Sequence, residues 1–117
     1  MIREIIHDLS LSPENSKFDF DFDFTSIEIK NIKVKIIFDS YPNSGQVNFY
    51  LYNRWDSEIE NNYYQSFQVN LDDILETENG EILALKTINL CVLNPKNKLN
   101  IVSDFDVPIK ICVYLED

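Results

Sequence analysis

The stretch from Phe18 to Phe24 reads Phe-Asp-Phe-Asp-Phe-Asp-Phe, a strict alternation of aromatic and acidic residues. Successive side chains of a β-strand point to opposite faces of a sheet, so this pattern predicts a strand with a phenylalanine face and a carboxylate face. The phenylalanines are expected in the core and the carboxylates in solvent. The segment therefore favours a β-rich fold.

The same alternation returns in Ile32, Val34, Ile36 and Phe38, with the opposite parity to Ile27 and Ile29. One extra residue in a strand moves every following side chain to the other face. A bulge or tight turn is therefore expected at positions 30 and 31.

Turn residues divide the remaining chain into further short strands. These strands are predicted at residues 46–52, 64–71, 81–93, 98–102 and 107–115. Asn70 to Leu75 resembles a capped helical turn with acids at its start. Asn79-Gly80 fits either a helix end or a hairpin turn, and both interpretations stay open.

The first residues follow a different period. Ile2, Ile5, Ile6 and Leu9 recur at helical spacing, which predicts a short N-terminal helix that ends before Pro13. The predicted fold class is thus mainly β: an antiparallel β-sandwich of about seven strands with a short N-terminal helix. At 117 residues, the chain is expected to form one domain over residues 1–117.

The chain is strongly acidic, with 20 Asp plus Glu against 10 Lys plus Arg and a formal net charge of -10. A negative field repels phosphate groups, so we expect binding neither to nucleic acid nor to a membrane. Cys91 and Cys112 lie in apolar stretches and are interpreted as core thiols rather than a disulfide. With no apparent signal peptide, the expected compartment is the cytoplasm.

The composition also removes most catalytic chemistries. His7 is the one histidine, and two glycines cannot build a phosphate-binding loop. One histidine and two scattered cysteines do not form a zinc site. We therefore expect no enzyme activity, no cofactor and no metal.

Calcium is the one metal that needs weighing, because it prefers several carboxylate oxygens. Two acidic clusters could supply them, and the pair is similar to the calcium loops of C2 domains. The candidate residues are Asp19, Asp21, Asp23, Asp104 and Asp106. The alternative interpretation is a solvated acidic face over a phenylalanine core.

Acidic residues are concentrated in the middle of the chain, and residues 56–81 contain eight acids and no lysine or arginine. Tyrosines and a tryptophan lie among them, and such aromatics anchor protein interfaces while acids steer and pair with a partner. We predict central contacts from Trp55, Asp56, Glu58, Glu60, Tyr63 and Tyr64, with a rim of Asp72, Asp73, Glu76 and Glu78.

In size, acidity and β pattern, the whole chain resembles the bacterial immunity proteins of contact-dependent and other polymorphic toxin systems. The resemblance implies a non-catalytic cytoplasmic protein that caps the nucleic-acid-binding cleft of one cognate toxin nuclease without a cofactor. Two alternatives remain open. One is a phage-type DNA mimic that blocks a host nuclease with much the same residues, and the other is a calcium-dependent C2-like binding module.

Overall fold

The computed structural model describes residues 3–23, 31–53, 63–90 and 96–116. Within these ranges the chain forms nine strands and a single turn of 3-10 helix, Leu71–Asp73. The strands are β1 (Arg3–Leu11), β2 (Lys17–Asp23), β3 (Asn31–Phe38), β4 (Gln46–Asn53), β5 (Gln65–Asn70), β6 (Leu75–Glu76), β7 (Ile82–Asn89), β8 (Lys96–Ser103) and β9 (Ile109–Glu116). No helix in those ranges is long and apolar enough to cross a membrane.

The strands form two antiparallel sheets. The larger sheet has the order β1-β9-β3-β7-β6, and the smaller has the order β2-β8-β4-β5. Buried side chains from both sheets belong to one hydrophobic cluster. The predicted sandwich is thus confirmed in its general form, with nine strands in place of about seven. The two additional strands are β1 and the two-residue β6.

Alternation of side chains accounts for the central strands. On β3 every second residue is buried, from Ile32 to Phe38. β8 buries the alternate set that contains Leu99 and Ile101. Aromatic rings fill the space between the sheets: Phe49 stacks on Phe67 with ring centres 4.6 Å apart. Each sheet therefore keeps one apolar face inside.

The N-terminal segment corrects one prediction, because residues 3–11 form strand β1 and no helix. The register along β9 shifts between Ile5 and His7, which marks a β-bulge. Beyond the bulge Leu9 and Leu11 are buried, while Asp8 and Ser10 are exposed. One extra residue breaks the period of two, and it leaves the apolar positions at a spacing that resembles a helix.

Cys112 corrects a second prediction. It lies on the outer face of the larger sheet, half-buried and unpaired, rather than in the core. Its neighbours in register are Asp8 and Lys35. Burial raises the pKa of the Cys112 thiol, and the carboxylate of Asp8 raises it further. Cys91 and the expected bulge at Lys30 lie outside the described residues.

Candidate functional site

One edge of the sandwich carries an excess of acidic residues over basic ones. In residues 63–90 the acids outnumber the bases by five to one, and Lys86 is the single base. Lys86 lies 3.9 Å from a carboxylate oxygen of Asp73. The other four acids are exposed, and we call them the acidic edge: Asp72, Glu76, Glu78 and Glu81.

Local hydrogen bonds fix the first part of this edge. The side chain of Asn70 accepts a hydrogen bond from the backbone N–H of Asp72 at 3.0 Å. The carboxylate of Asp73 accepts one from the backbone N–H of Asn70 at 2.9 Å. This reciprocal capping box holds the 3-10 turn in place. It confirms the capped turn that the sequence predicts.

The second part of the edge is a hairpin turn between β6 and β7. Gly80 adopts a positive φ of 82° there, a conformation that glycine reaches without steric cost. The side chain of Thr77 accepts a hydrogen bond from the backbone N–H of Glu81 at 3.0 Å. Of the two interpretations left open for Asn79-Gly80, the structure therefore favours the hairpin.

An apolar side chain lies within this acidic edge. Leu75 is 60% exposed, and it pairs in register with Leu83 on β7. Its neighbour Glu76 and the nearby Glu78 are both exposed. An exposed apolar side chain with charged residues close to it in the chain fits the common anatomy of a protein interface, in which an anchor has a polar rim.

Tyrosines form a second feature, on the outer face of the smaller sheet. Tyr63, which is 50% exposed, contacts Tyr50 with ring centres 5.1 Å apart. It also meets Tyr52 edge-to-face at 6.3 Å. We call this surface of β2, β8, β4 and β5 the tyrosine face.

Tyr64 points away from the tyrosine face, although it is the next residue in the sequence. It packs against the hydrophobic cluster, and its hydroxyl donates to Oδ1 of buried Asn97 at 2.5 Å. The two neighbouring tyrosines, both predicted as partner contacts, thus have different surroundings. The remaining predicted central contacts, Trp55, Asp56, Glu58 and Glu60, lie outside the described residues.

The calcium candidates do not converge among the residues that the structure covers. Asp104 accepts a hydrogen bond from the backbone N–H of Gln46 at 2.6 Å, and Asp106 accepts one from Asn43 at 3.0 Å. Asp19 lies 3.8 Å from the ammonium group of Lys98. In the described ranges, no group of three or more acidic, histidine or cysteine side chains could hold a metal ion.

Positive charge gathers on the outer face of the larger sheet, at a distance of several strands from its edge strand β6. Lys33 and Lys35 of β3 lie there beside Lys110 of β9. Two adjoining depressions of about 420 and 510 Å³ share Ser10, Ile37 and Lys110 in their linings. A basic partner attracted by the overall charge would therefore meet the acidic edge more favourably than this face.

Comparison with known proteins gives a likeness of fold. No family model matches the chain, and no curated protein matches it. Among solved structures, a carbohydrate-binding module, CBM36, in complex with calcium and xylotriose has a TM-score of 0.52 and 10% identity, with 99% of this chain and 98% of that chain covered.

Two other solved structures also resemble this chain. A family GH115 4-O-methyl-alpha-glucuronidase has a TM-score of 0.51 and 8% identity, and this chain spans only 17% of its length. The pre-peptidase C-terminal domain of collagenase from Bacillus anthracis is 17% identical, with a TM-score of 0.47 and coverage of 96% of this chain and 89% of that one. At such identities the likeness shows a β-sandwich fold alone.

Proposed function

We propose that the protein is a non-catalytic binding domain that neutralises a basic protein partner through its acidic edge. One observation carries the proposal: exposed Leu75 lies between the capped turn and the hairpin that carry the exposed acids. The leucine would supply apolar contact area, and the acids would pair with lysine or arginine of the partner.

The most specific form of this proposal is an immunity protein that caps the nucleic-acid-binding cleft of a cognate toxin nuclease. A nuclease must be positive where it binds phosphate, so an acidic domain can occupy that cleft in place of nucleic acid. The net charge of -10 favours fast association with such a surface. Four predicted contacts, Asp72, Asp73, Glu76 and Glu78, follow the end of β5, on or beside the 3-10 turn and β6, whereas Tyr63 precedes the start of β5.

The proposal is tested by affinity capture of the tagged protein from its native lysate at low and high salt. The edge variant Glu76→Lys/Glu78→Lys should lose a basic partner that the native protein retains, with affinity at least about tenfold lower because attraction becomes repulsion. The control Glu14→Lys/Asp39→Lys changes the net charge equally at exposed positions elsewhere. It should retain the partner.

The variant Leu75→Ser removes the apolar anchor without changing the charge. It should weaken the same complex by about tenfold, which is typical of a truncated interface anchor. Equal retention by edge and control variants would contradict the proposed site. A captured nuclease that is inhibited by the native protein, and not by the edge variant, would support the immunity form.

The two alternatives predict different results in the same preparation. A phage-type DNA mimic would capture a nuclease of host defence rather than a toxin. A calcium-dependent C2-like module would capture no partner whose binding depends on salt. Its melting temperature would rise when calcium is added.

A further inference from the structure

We infer that the tyrosine face binds a neutral oligosaccharide. This site goes beyond the proposed function, because it uses the outer face of the smaller sheet rather than the acidic edge. Among the predicted partner contacts that the structure describes, only Tyr63 also belongs to this face. The inference depends on three properties of the face: its aromatic centre, its amide side chains and its nearly balanced charge.

The strand register places the polar side chains in rows around the tyrosines. Tyr50 lies between Asn100 of β8 and Ser66 of β5. In the adjacent row, Asn48 lies opposite Gln68. All four polar residues are half-buried or exposed. Since neighbouring strands are about 4.8 Å apart, the four strands span roughly 14 Å, which suits a short chain of sugar rings.

The tyrosine rings suit the apolar surface of a sugar ring. An aromatic ring carries partial negative charge on its face. The C–H groups on one side of a pyranose carry partial positive charge and can lie against that ring. Tyr63 is exposed and is supported from below by Tyr50 and Tyr52, so it offers an aromatic surface that is already held in position.

The amides suit the hydroxyl groups of a sugar. A hydroxyl group both donates and accepts hydrogen bonds, and the side chains of asparagine and glutamine do the same. Lysine can only donate, and an ionised carboxylate can only accept. Asn48, Gln68 and Asn100 therefore match a polyhydroxyl ligand better than they match an ion.

Among the described side chains, the charges of this face nearly balance, in contrast to the chain as a whole. The strands place two acids on it, Asp19 and Asp21, and three bases, Lys17, Lys96 and Lys98. Lys98 and Asp19 are 3.8 Å apart. The face is therefore unsuited to a strongly basic or acidic partner. Val102 is the one aliphatic residue that the described strands direct outward here, which leaves little apolar area for a protein partner.

The experiment is a titration of isotope-labelled protein, followed by amide NMR shifts, with cellohexaose, xylohexaose, mannohexaose and maltohexaose. Each is raised to about 10 mM, which detects a Kd near 1 mM. We expect at least one of them to shift the amides of β4, β5 and β8. The variants Tyr63→Ala and Asn48→Ala/Asn100→Ala should each weaken that binding about tenfold, and Tyr41→Ala, equally exposed at 50% but on a loop, should not.

Absence of shifts with all four sugars would overturn the inference, and so would shifts confined to the larger sheet. The edge variant Glu76→Lys/Glu78→Lys separates the two sites. It should bind the sugar normally even if it loses a basic protein partner, whereas Asn48→Ala/Asn100→Ala should keep the protein partner. Retention of a protein partner but no sugar binding would overturn this inference and leave the proposed function standing.

Discussion

A single hydrogen bond in the core distinguishes the surroundings of two tyrosines that are equivalent in the sequence. Tyr63 and Tyr64 are adjacent and chemically identical, yet one is exposed on the tyrosine face and the other reaches a fully buried amide. A buried acceptor that loses its donor keeps its desolvation cost. We therefore expect the hydroxyl of Tyr64 to contribute more to stability than the hydroxyl of Tyr63.

This difference can be measured with two matched substitutions. Tyr64→Phe should lower the free energy of unfolding by about 1–2 kcal/mol, because Asn97 loses a hydrogen-bond donor. Tyr63→Phe should change it by less than about 0.5 kcal/mol, as is usual for exposed positions. Urea denaturation gives both values, and equal effects would show that the Tyr64 hydrogen bond is energetically neutral.

The thiol of Cys112 provides a test of local electrostatics. Desolvation raises its pKa, Asp8 raises it further through a hydrogen bond and its charge, and Lys35 lowers it. Since the thiolate is the reactive form, a raised pKa slows alkylation near neutral pH. Asp8→Asn should therefore speed alkylation of Cys112 by about twofold or more, and Lys35→Met should slow it.

The measurement is the alkylation rate of the Cys112 peptide as a function of pH, followed by mass spectrometry. The midpoint should move to lower pH in Asp8→Asn and to higher pH in Lys35→Met. A shift of both variants in the same direction would mean that exposure, and not charge, controls the reactivity.

At the scale of elements, the sequence predicts strands well where alternation is unbroken. β2, β3 and β4 begin within one residue of the predicted positions. The sequence does not predict β1, because its bulge gives the apolar residues a helical spacing. It does not predict β6, because two residues are too few to show a period. The acidic edge was predicted from composition. The sequence pattern does not show that Tyr63 is exposed and that Tyr64 packs inward. That difference depends on the path of the backbone into β5.

Edge strands also show how the sandwich limits pairing with other chains. β1 contains a bulge, β2 carries alternating aspartates and β6 is only two residues long. Each of these features is a recognised protection of a sheet edge. An acidic domain that offers few unprotected edges is suited to a specific interface rather than to aggregation.

Two turns that contain a glycine offer a second matched test. Gly45 has a φ of 115°, and an added Cβ would lie 2.5 Å from the carbonyl oxygen of Asp104. Gly80 also has a positive φ, but an added Cβ there would meet no atom within 4 Å. Gly80→Ala should cost about 1–2 kcal/mol from backbone strain alone. Gly45→Ala should cost clearly more, because the backbone of Asp104 must also move.

Thermal or urea denaturation of the two glycine variants checks this order. A similar cost at both positions would mean that the loop after β8 moves freely to admit the methyl group. That result would weaken the view that Asp104 and Asp106 serve to fix this end of the sandwich through the backbone N–H groups of Gln46 and Asn43.

At the scale of the whole molecule, charge is divided among surfaces rather than spread evenly. The acidic edge is negative, the outer face of the larger sheet carries Lys33, Lys35 and Lys110, and the described charges of the tyrosine face nearly balance. One small domain can therefore present surfaces of different chemistry to different ligands. The overall charge governs the rate of encounter, while the local surface decides what stays bound.

The pairing of β1 with β9 has a consequence for the architecture of larger proteins. Arg3 lies opposite Glu116 in the register of these two strands, so the first residue of β1 and the last residue of β9 lie side by side. Domains with adjacent ends tolerate insertion into a loop of a host protein and circular permutation. A domain with this fold can be inserted into a loop of a host protein without moving apart the two host segments that flank it.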